Sequence, residues 1–327
     1  MKDVGLVGVP YSGKSTLFTA LTRTGAAGGR SNQAVVPVPD ERLGVLATLE
    51  RSRQIVPAQV RFVDVPGGTS AQGLAALRET DALCLVVKAF GPDAHPAGEL
   101  AELTGDLILA DLTSVETALE NARRRAKGRS SQALGEVDAL ERAHAALSSE
   151  RLLREAAIDE EARRALQSLA PLTLKPWIVV ANVEEGSGLP PGLPEGAVAV
   201  SAEIEAETAA MDPDEARTLL MEFGVDEAGL PRVVAAGYRA LDLITFLTTG
   251  EDETRAWEVR RGATAPEAAG AIHSDLQRGF IRVEVAPFDA VVTAGGWDAA
   301  KRAGHVRVEG KDYLVQEGDV LHVRFAV

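Results

Sequence analysis

The residues best suited to chemistry form a glycine-rich loop near the amino terminus, which reads Gly8-Val9-Pro10-Tyr11-Ser12-Gly13-Lys14-Ser15-Thr16. Two glycines at this spacing, followed by lysine and serine, match the pattern of a phosphate-binding loop in full. The glycines let backbone N–H groups wrap around a phosphate at a helix amino terminus, where an anion is favoured. We expect Lys14 to reach the β- and γ-phosphates and stabilise their charge, and the Ser15 hydroxyl to coordinate Mg²⁺.

A second segment offers the carboxylate that such a metal ion needs. Asp64-Val65-Pro66-Gly67 follows the alternating run Gln59 to Val63, so it lies at the end of a predicted strand. The form D-x-x-G is typical of GTPase switch regions, where the aspartate holds a metal-bound water and the glycine N–H can reach the γ-phosphate. Asp64 is therefore the second metal candidate beside Ser15, and Gly67 is a nucleotide-binding candidate.

A third segment, Asn182-Val183-Glu184-Glu185, follows an apolar run and occupies the place where GTPases usually carry N-K-x-D. Here Val183 replaces the lysine and Glu185 replaces the aspartate that reads guanine. Because the longer acid cannot sit in the same place, this segment disfavours tight guanine recognition. Backbone groups near Val183 could read the N1 acceptor and N6 donor of adenine instead. Ser201-Ala202 follows the last apolar run, where a base-contacting turn is expected.

The three segments together give one predicted nucleotide site. Its candidate residues are Pro10, Tyr11, Ser12, Gly13, Lys14, Ser15, Thr16, Gly67, Asn182, Val183, Glu185, Ser201 and Ala202.

The elements that must position these residues alternate between strands and helices. Val4 to Val7, Ala82 to Val87 and Trp177 to Ala181 are short apolar runs, as expected for parallel strands that are covered on both faces. Lys14 to Thr24 has its apolar residues on one face and predicts a helix, and Asp40 is the expected N-cap of another helix. This order predicts a doubly wound α/β sheet.

Two further regions differ from this alternation. Residues 96–170 are rich in Ala, Leu, Glu and Arg with helical spacing, and a turn at Gly128 to Ser131 predicts an antiparallel helical hairpin. Residues 248–327 predict a small β-rich module with one main helix, which starts at the capping box Thr264 to Glu267 and ends at Gly279. Its expected strands are Ala256 to Val259, Phe280 to Val285, His305 to Val308, Tyr313 to Val315 and Val320 to Phe325. Residues 1–95 and 171–247 then form the nucleotide-binding domain.

A basic cluster precedes the predicted hairpin turn. It consists of Arg123, Arg124, Arg125, Lys127 and Arg129. One interpretation is a solvated helix end whose cations complement the helix dipole. The other is a contact for RNA or for an acidic surface.

The bulk composition limits the classes of partner. The net charge of -14 argues against coating nucleic acid by bulk attraction, so any RNA contact requires a local patch, and DNA is not an expected partner. The single cysteine, Cys84, excludes an internal disulfide and is expected to be a small core residue. No apolar stretch is long enough for a membrane span, and the first apolar run is too short for a signal peptide, so we expect a cytoplasmic protein.

The order of these motifs resembles the YchF or Obg-like ATPase family. The likeness rests on Gly8 to Thr16, Pro37 to Leu43, Asp64 to Gly67, Arg78-Glu79-Thr80, Asn182 to Glu185, Ser201-Ala202, Leu172 to Pro176, Arg255 to Trp257, Gly262 to Pro266, Gly279 to Arg282 and Glu309 to Tyr313. The resemblance covers nearly the whole chain and implies a P-loop NTPase fold with a helical insertion and a C-terminal β-grasp-like TGS domain. It also implies a preference for ATP over GTP, dependence on Mg²⁺, and association with ribosomes or translation.

The chain departs from this family at two loops. Family members carry a longer loop after the first helix, with a threonine that completes the Mg²⁺ shell, whereas residues 25–37 offer only the hydroxyl of Ser31. Gly68 stands where other GTPases place a water-orienting glutamine. Because these loops sense the γ-phosphate and help to position water, their shortening should impair turnover more than binding. The chain is thus expected to hydrolyse its nucleotide slowly or not at all; the alternative is a ribosome- or RNA-binding module in which the nucleotide is structural or regulatory.

Overall fold

A computed structural model describes residues 1–24, 32–126, 131–225 and 228–326. Its strands are β1 (Asp3–Val7), β2 (Gln33–Pro37), β3 (Gln54–Val56), β4 (Gln59–Asp64), β5 (Ala82–Ala89), β6 (Trp177–Val183), β7 (Val198–Val200), β8 (Leu243–Thr248), β9 (Glu253–Arg260), β10 (Phe280–Pro287), β11 (Arg307–Glu309) and β12 (Asp319–Phe325).

The helices begin with α1 directly after the phosphate-binding loop. They are α1 (Lys14–Thr24), α2 (Glu41–Glu50), α3 (Ala71–Arg78), α4 (Pro96–Ala126), α5 (Ser131–Ser148), α6 (Glu160–Leu166), α7 (Ala202–Thr208), α8 (Pro213–Glu222), α9 (Gly229–Ala240), α10 (Ala265–Ile272), α11 (Ser274–Arg278), α12 (Phe288–Ala294) and α13 (Trp297–Arg302). The predicted N-cap is present, because the Asp40 side chain accepts a hydrogen bond from the N–H of Arg42.

The contacts divide the chain into two compact units, Met1–Val36 with Arg61–Gly237 and Pro37–Val60 with Tyr238–Val327. The first sheet has the strand order β2-β4-β1-β5-β6-β7, and the pairings from β4 through β7 are parallel. This arrangement confirms the predicted doubly wound α/β fold. Because its central strands are buried on both faces, they read as continuous apolar runs.

The helical insertion is confirmed as a hairpin of α4 and α5. Its buried residues form a core of their own around Leu119, Leu140 and Leu153. The predicted turn at residues 128–131 lies largely outside the described residues, as do Lys127 and Arg129. The three described arginines of the basic cluster are paired with carboxylates: Arg123 with Glu141, Arg124 with Glu120, and Arg125 with Glu136.

The C-terminal residues build a second, mixed sheet with the order β11-β10-β12-β8-β9-β3, in which the edge strand β3 comes from residues 54–56. Its core includes Phe246, Val283 and Leu321, and α10 packs onto it through small residues. The predicted β-rich module is confirmed, with three corrections. It has four helices rather than one main helix. The segment expected to run unbroken to Gly279 is divided into α10 and α11 at His273, whose backbone is extended, and α12 and α13 follow β10. The strand predicted at His305 begins only at Arg307.

The third correction concerns the predicted strand Tyr313 to Val315, which is an isolated bridge between Leu314 and Thr264. Val315 of this segment lies in a loop, yet its side chain is buried in the core. Its N–H donates a hydrogen bond to the carbonyl of Ala263 at 3.0 Å.

Cys84 lies in the centre of β5 and is completely buried. Burial raises the pKa of its thiol well above the ordinary value, so the thiol stays protonated and acts as a small apolar side chain. Among the described residues, no helix is both long enough and apolar enough to cross a bilayer.

Candidate functional site

The phosphate-binding loop connects the end of β1 to the start of α1. Within it, the N–H of Ser12 donates to the carbonyl of Val9 at 3.2 Å, and the N–H of Leu17 donates to the carbonyl of Gly13 at 2.9 Å. Tyr11 and Gly13 have positive φ angles of 67° and 85°. The chain therefore turns sharply before the helix begins, as expected for a loop whose backbone N–H groups wrap around a phosphate.

The two glycines of the loop are required by close packing. A Cβ atom at Gly8 would lie 2.5 Å from Ser12 Oγ and 2.6 Å from the carbonyl oxygen of Val86. A Cβ atom at Gly13 would lie 1.9 Å from Asn182 Nδ2. The loop backbone thus lies directly against β5 and β6. Ser12 Oγ is buried and has no hydrogen-bond partner among the described residues.

Lys14 and Asp64, predicted from separate motifs, are in direct contact. The Lys14 ammonium forms an ion pair with the Asp64 carboxylate. Parallel strands bring the carboxyl ends of β1 and β4 to the same edge of the sheet, which explains the meeting. Ser15 is exposed at the start of α1. Ser15 follows Lys14 in the sequence, and Asp64 contacts Lys14 in space. Both metal candidates therefore lie beside the same lysine.

A cavity of about 830 Å³ opens over the loop. It is lined by the whole segment from Gly8 to Thr16, by Gly67, Gly68 and Thr69 of the D-x-x-G turn, and by Lys88, Phe90, Glu102 and Asp106. We refer to it as the phosphate cavity. The structure thus brings together the phosphate-loop residues and Gly67, as the sequence predicted.

A second cavity of about 250 Å³ lies beside it and is called the base cavity here. It is lined by Gly13, Thr16, Phe90, Asn182, Val183, Glu184, Glu185, Ser201 and Glu203. Gly13, Thr16 and Phe90 line both cavities. The two spaces are therefore adjacent, as the phosphate and base ends of one nucleotide would require.

Asn182 holds the base cavity together. Its Nδ2 donates to the carbonyl of Ser12 at 3.2 Å, and its Oδ1 accepts a hydrogen bond from the N–H of Ala202 at 3.0 Å. Both ends of the amide are thus used within the protein, and Asn182 joins the phosphate-binding loop to the start of α7. Ala202 was predicted to contact the nucleotide, but it lines neither of the two cavities. Its N–H instead helps to position the Asn182 side chain.

The rest of the third motif is divided between core and solvent. Val183 is buried, whereas Glu184 and Glu185 are exposed. Glu184 Oε1 accepts a hydrogen bond from the N–H of Gly91 at 2.9 Å, which ties the loop after β5 to the base cavity. Glu185 lines the cavity without a described hydrogen bond and remains free to meet a ligand.

Several lining residues were not predicted. Lys88 and Phe90 follow the buried run of β5, and the Lys88 ammonium lies 5.2 Å from the centroid of the Phe90 ring. The carboxyl end of an inner parallel strand is a usual place for ligand contacts. The position of Lys88 and Phe90 directly after the apolar run of β5 could therefore have predicted their place in the site. Glu102 and Asp106 belong to α4, and nothing in their local sequence separates them from other exposed helical acids.

No group of three or more His, Cys, Asp or Glu side chains in the described ranges could hold a metal ion by itself. A metal site built from Ser15 and Asp64 would be completed by phosphate oxygens and water, which is the usual way in which Mg²⁺ binds with nucleotides.

Comparison with known proteins gives consistent matches over the whole chain. A family model for 50S ribosome-binding GTPases matches residues 3–111, and the model YchF-GTPase_C, described as a protein of unknown function (DUF933), matches residues 243–326. The chain is 41% identical to a ribosome-binding ATPase YchF from Haemophilus influenzae and 37% identical to one from Bacillus subtilis. Each of these matches covers 99% of both chains.

A solved structure gives the same result in three dimensions. The structure of the Schizosaccharomyces pombe YchF GTPase superposes with a TM-score of 0.89 at 27% identity, covering 99% of this chain and 97% of the other. The match to the H. influenzae protein extends over 358 aligned positions, whereas this chain has 327 residues, so at least 31 positions have no counterpart here.

Proposed function

The chain belongs to the YchF family, and on that premise we propose that it binds purine nucleotides, prefers adenine, hydrolyses ATP or GTP slowly or not at all, and acts at the ribosome. One observation carries the nucleotide assignment: a phosphate cavity over a complete G-x-x-x-x-G-K-S loop adjoins a base cavity. Asn182 connects the two through its hydrogen bond to Ser12.

The preference for adenine rests on what the base cavity offers. The Asn182 amide donates one N–H to Ser12 and accepts one hydrogen bond from Ala202, so the protein itself fixes its orientation. The discrimination between bases then falls to the backbone near Val183 and to the side chain of Glu185. A glutamate at this position cannot reproduce the place of the shorter aspartate that reads guanine, so ATP and ADP are the favoured ligands and GTP is the weaker alternative.

Mg²⁺ is the proposed cofactor, because the residues present fit it. Asp64 faces the phosphate-binding loop, as its contact with Lys14 shows, and Ser15 supplies a hydroxyl at the first turn of α1. Mg²⁺ needs only one or two protein ligands beside phosphate and water. When bound, it would neutralise charge on the β- and γ-phosphate oxygens. Lys14 would contact the same phosphates once it exchanges Asp64 for the ligand.

Slow turnover is proposed for two reasons. The loops that usually contact the γ-phosphate are shortened, and the side chain that usually orients the attacking water is missing. Gly68 has no side chain to orient water, although it lines the phosphate cavity. Ser31 lies outside the described residues. At least 31 positions of the H. influenzae protein have no counterpart in this chain. We attribute part of this shortening to the loops after α1 and after Gly67. Binding depends on the intact loop and is retained.

The ribosome is the proposed partner because relatives of 37–41% identity are named ribosome-binding ATPases. This role would place the chain in the cytoplasm, with ribosomal RNA as part of the contact and neither membrane nor DNA as a partner. We further propose that residues 1–95 and 171–247 form the nucleotide-binding domain, 96–170 the helical insertion, and 248–327 a TGS-type domain. By contacts, residues 37–60 and 238–247 belong to the second unit, so these bounds need that adjustment.

The nucleotide assignment is tested by calorimetric titration of the purified chain with ADP and GDP in the presence of Mg²⁺. We expect ADP to bind at least about tenfold more tightly than GDP, a difference of about 1.4 kcal/mol. Lys14→Ala should weaken both ligands strongly, whereas Lys311→Ala, an exposed lysine of the C-terminal unit, should change neither. Absence of binding by any purine nucleotide would overturn the proposal, and tighter binding of GDP would reverse the base assignment.

The catalytic part is tested by single-turnover phosphate release from ATP. We expect a rate of about 10⁻³ s⁻¹ or less, the order of an unassisted GTPase. Release at several per second that disappears in Lys14→Ala would contradict slow hydrolysis. A second candidate, a hydrolysis-deficient ribosome- or RNA-binding module, is favoured by Gly68 and the shortened chain. Cosedimentation with ribosomes that is indifferent to ADP and ATP would support that module over a nucleotide-controlled protein.

A further inference from the structure

One face of α4 looks into the phosphate cavity. Glu99 Oε2 accepts a hydrogen bond from the N–H of Lys88 at 2.7 Å, which fixes the first turn of α4 to the end of β5. Glu102 and Asp106 follow at helical spacings of three and four residues, so they share this face. Both line the cavity, together with the phosphate-binding loop.

The charges of these two carboxylates are not balanced nearby. Within the described ranges, neither Glu102 nor Asp106 has a lysine or arginine within ion-pair distance, although most other acids of α4 are paired or hydrogen-bonded. The two cations of the cavity are otherwise engaged: Lys14 contacts Asp64, and Lys88 lies over Phe90. The part of the cavity lining that α4 contributes is therefore negatively charged.

A negative wall is unexpected in a cavity that receives a polyanion. Like charges that share a cavity repel, and this repulsion is moderate here because Glu102 is exposed and the cavity is open to solvent. A nucleoside triphosphate carries one more phosphate group than a diphosphate, and that group is the one farthest from the base. We expect it near Gly67, because the glycine N–H of a D-x-x-G turn reaches the γ-phosphate. We propose that Glu102 and Asp106 discriminate against the third phosphate, so that the protein favours the diphosphate over the triphosphate.

This proposal rests on the proposed nucleotide binding and makes a signed prediction. If the acids repel the third phosphate, neutralising them should strengthen triphosphate binding more than diphosphate binding. If they instead bound a second cation or ordered a water against the third phosphate, neutralising them would weaken triphosphate binding selectively. A purely structural role would change both affinities together. The ratio of the two affinities separates these cases.

The experiment compares the dissociation constants of ADP and a non-hydrolysable ATP analogue, both with Mg²⁺, for the wild type, Glu102→Gln, Asp106→Asn and the double variant. Each single change should raise the triphosphate-to-diphosphate affinity ratio by about three- to tenfold. The gain should shrink at high salt, because the cavity is open to solvent. Glu120→Gln is the matched control, since Glu120 is an exposed acid of the same helix that pairs with Arg124.

An unchanged ratio, or a ratio that shifts toward the diphosphate, overturns the proposal while leaving nucleotide binding intact. A wild-type protein that binds neither ligand overturns the proposed function, and this inference fails with it. Circular dichroism of each variant shows whether α4 is retained. If Glu102→Gln does not fold, Asp106→Asn decides the question alone, because each acid is expected to act independently.

Discussion

The guanidinium of Arg78 lies 2.8 Å from the carboxylate of Asp111, whose side chain is completely buried. Arg78 ends α3, the helix that follows the D-x-x-G turn, and Asp111 lies in the middle of α4. Asp111 also accepts hydrogen bonds from the N–H groups of Leu172 and Thr173 at 3.0 and 2.7 Å. One buried carboxylate thus joins the helix after the phosphate site, the helical insertion and the segment that leads into β6.

Replacing Asp111 with alanine should strongly destabilise the protein. The change would remove the charge partner of the largely buried Arg78 guanidinium, which keeps hydrogen bonds to backbone carbonyls, and would leave the N–H groups of Leu172 and Thr173 without their acceptor. Breaking a buried ion pair from one side typically costs about 3–5 kcal/mol. The shift of the urea unfolding midpoint, followed by circular dichroism, measures this loss. Glu120→Ala removes an exposed pair and should cost no more than about 0.5 kcal/mol. A midpoint for Asp111→Ala as high as that of the control would contradict the assigned role.

A methyl group at Gly13 should abolish tight nucleotide binding. Gly13 has a φ of 85°, and the added carbon would meet Asn182 Nδ2 at 1.9 Å, so the loop must move away from β6. Gly44→Ala is the matched control, because Gly44 lies inside α2 with nothing within 4 Å of the added carbon. That change should leave ADP binding intact and stabilise the protein by about 0.5–1 kcal/mol. Calorimetry with ADP and thermal unfolding check both expectations, and normal ADP affinity in Gly13→Ala would count against the loop geometry.

Asn182→Asp should weaken ADP binding by about tenfold or more. The change removes one neutral hydrogen bond and adds a negative charge that repels the phosphates of ADP, and together these effects should exceed about 1.4 kcal/mol. The variant keeps the acceptor for the Ala202 N–H but loses the donor to the carbonyl of Ser12. It also places a carboxylate behind the phosphate-binding loop. Glu120→Gln changes an exposed acid that lines neither cavity and serves as the control. Equal ADP affinity in both variants would show that the link from Asn182 to the loop is dispensable.

His322 is the basis of a pH prediction for the C-terminal unit. Its ring stacks on Trp297 with 4.0 Å between centroids, and its Nε2 lies 3.1 Å from the carbonyl oxygen of Thr249, to which it donates in the neutral form. Burial lowers the pKa of His322, against the smaller effects of the Thr249 hydrogen bond and Glu284, which raise it. Arg324 lowers the pKa further, and Glu50 raises it slightly.

Because the folded-state pKa of His322 lies below the unfolded value of about 6.5, protonation favours the unfolded chain. The associated stability is fully present above about pH 6.5 and is lost as the pH falls toward the lower folded-state pKa. We therefore expect the melting temperature of the wild type to fall more between pH 7.5 and pH 5.5 than that of His322→Phe, which keeps the stacked ring without a titrating group. Parallel pH profiles for the two proteins would refute this assignment.

Much of the site followed from local sequence. The loop Gly8 to Thr16, Asp64 to Gly67 and Asn182 to Glu185 each end a strand of a parallel sheet, and the carboxyl ends of such strands meet at one edge. Their meeting could therefore be predicted without knowing any contact. Errors arose where an apolar pattern fits several local structures: Tyr313 to Val315 was predicted as a strand, but it contributes to the core from a loop with one isolated bridge.

Long-range pairings gave no local signal. β3 pairs with β9 in parallel, with Ile55 opposite Thr254, although the two strands are almost 200 positions apart. Likewise, the acids of α4 look like any solvated helical face until the helix is placed against the end of β5. Long-range contacts of this kind depend on how whole elements pack, and the periodicity of a single segment contains no information about its partner.

The sequence by itself determined the phosphate-binding loop, the order of strands and helices, and the motifs that belong around a purine nucleotide. These depend on residue types at fixed spacing, which act through the local backbone. Only the tertiary structure decided that both ends of the Asn182 amide are used within the protein, that Arg78 is anchored to Asp111, and that Glu102 and Asp106 line the phosphate cavity. Each of these depends on the meeting of side chains from distant elements, where burial and charge set the energy.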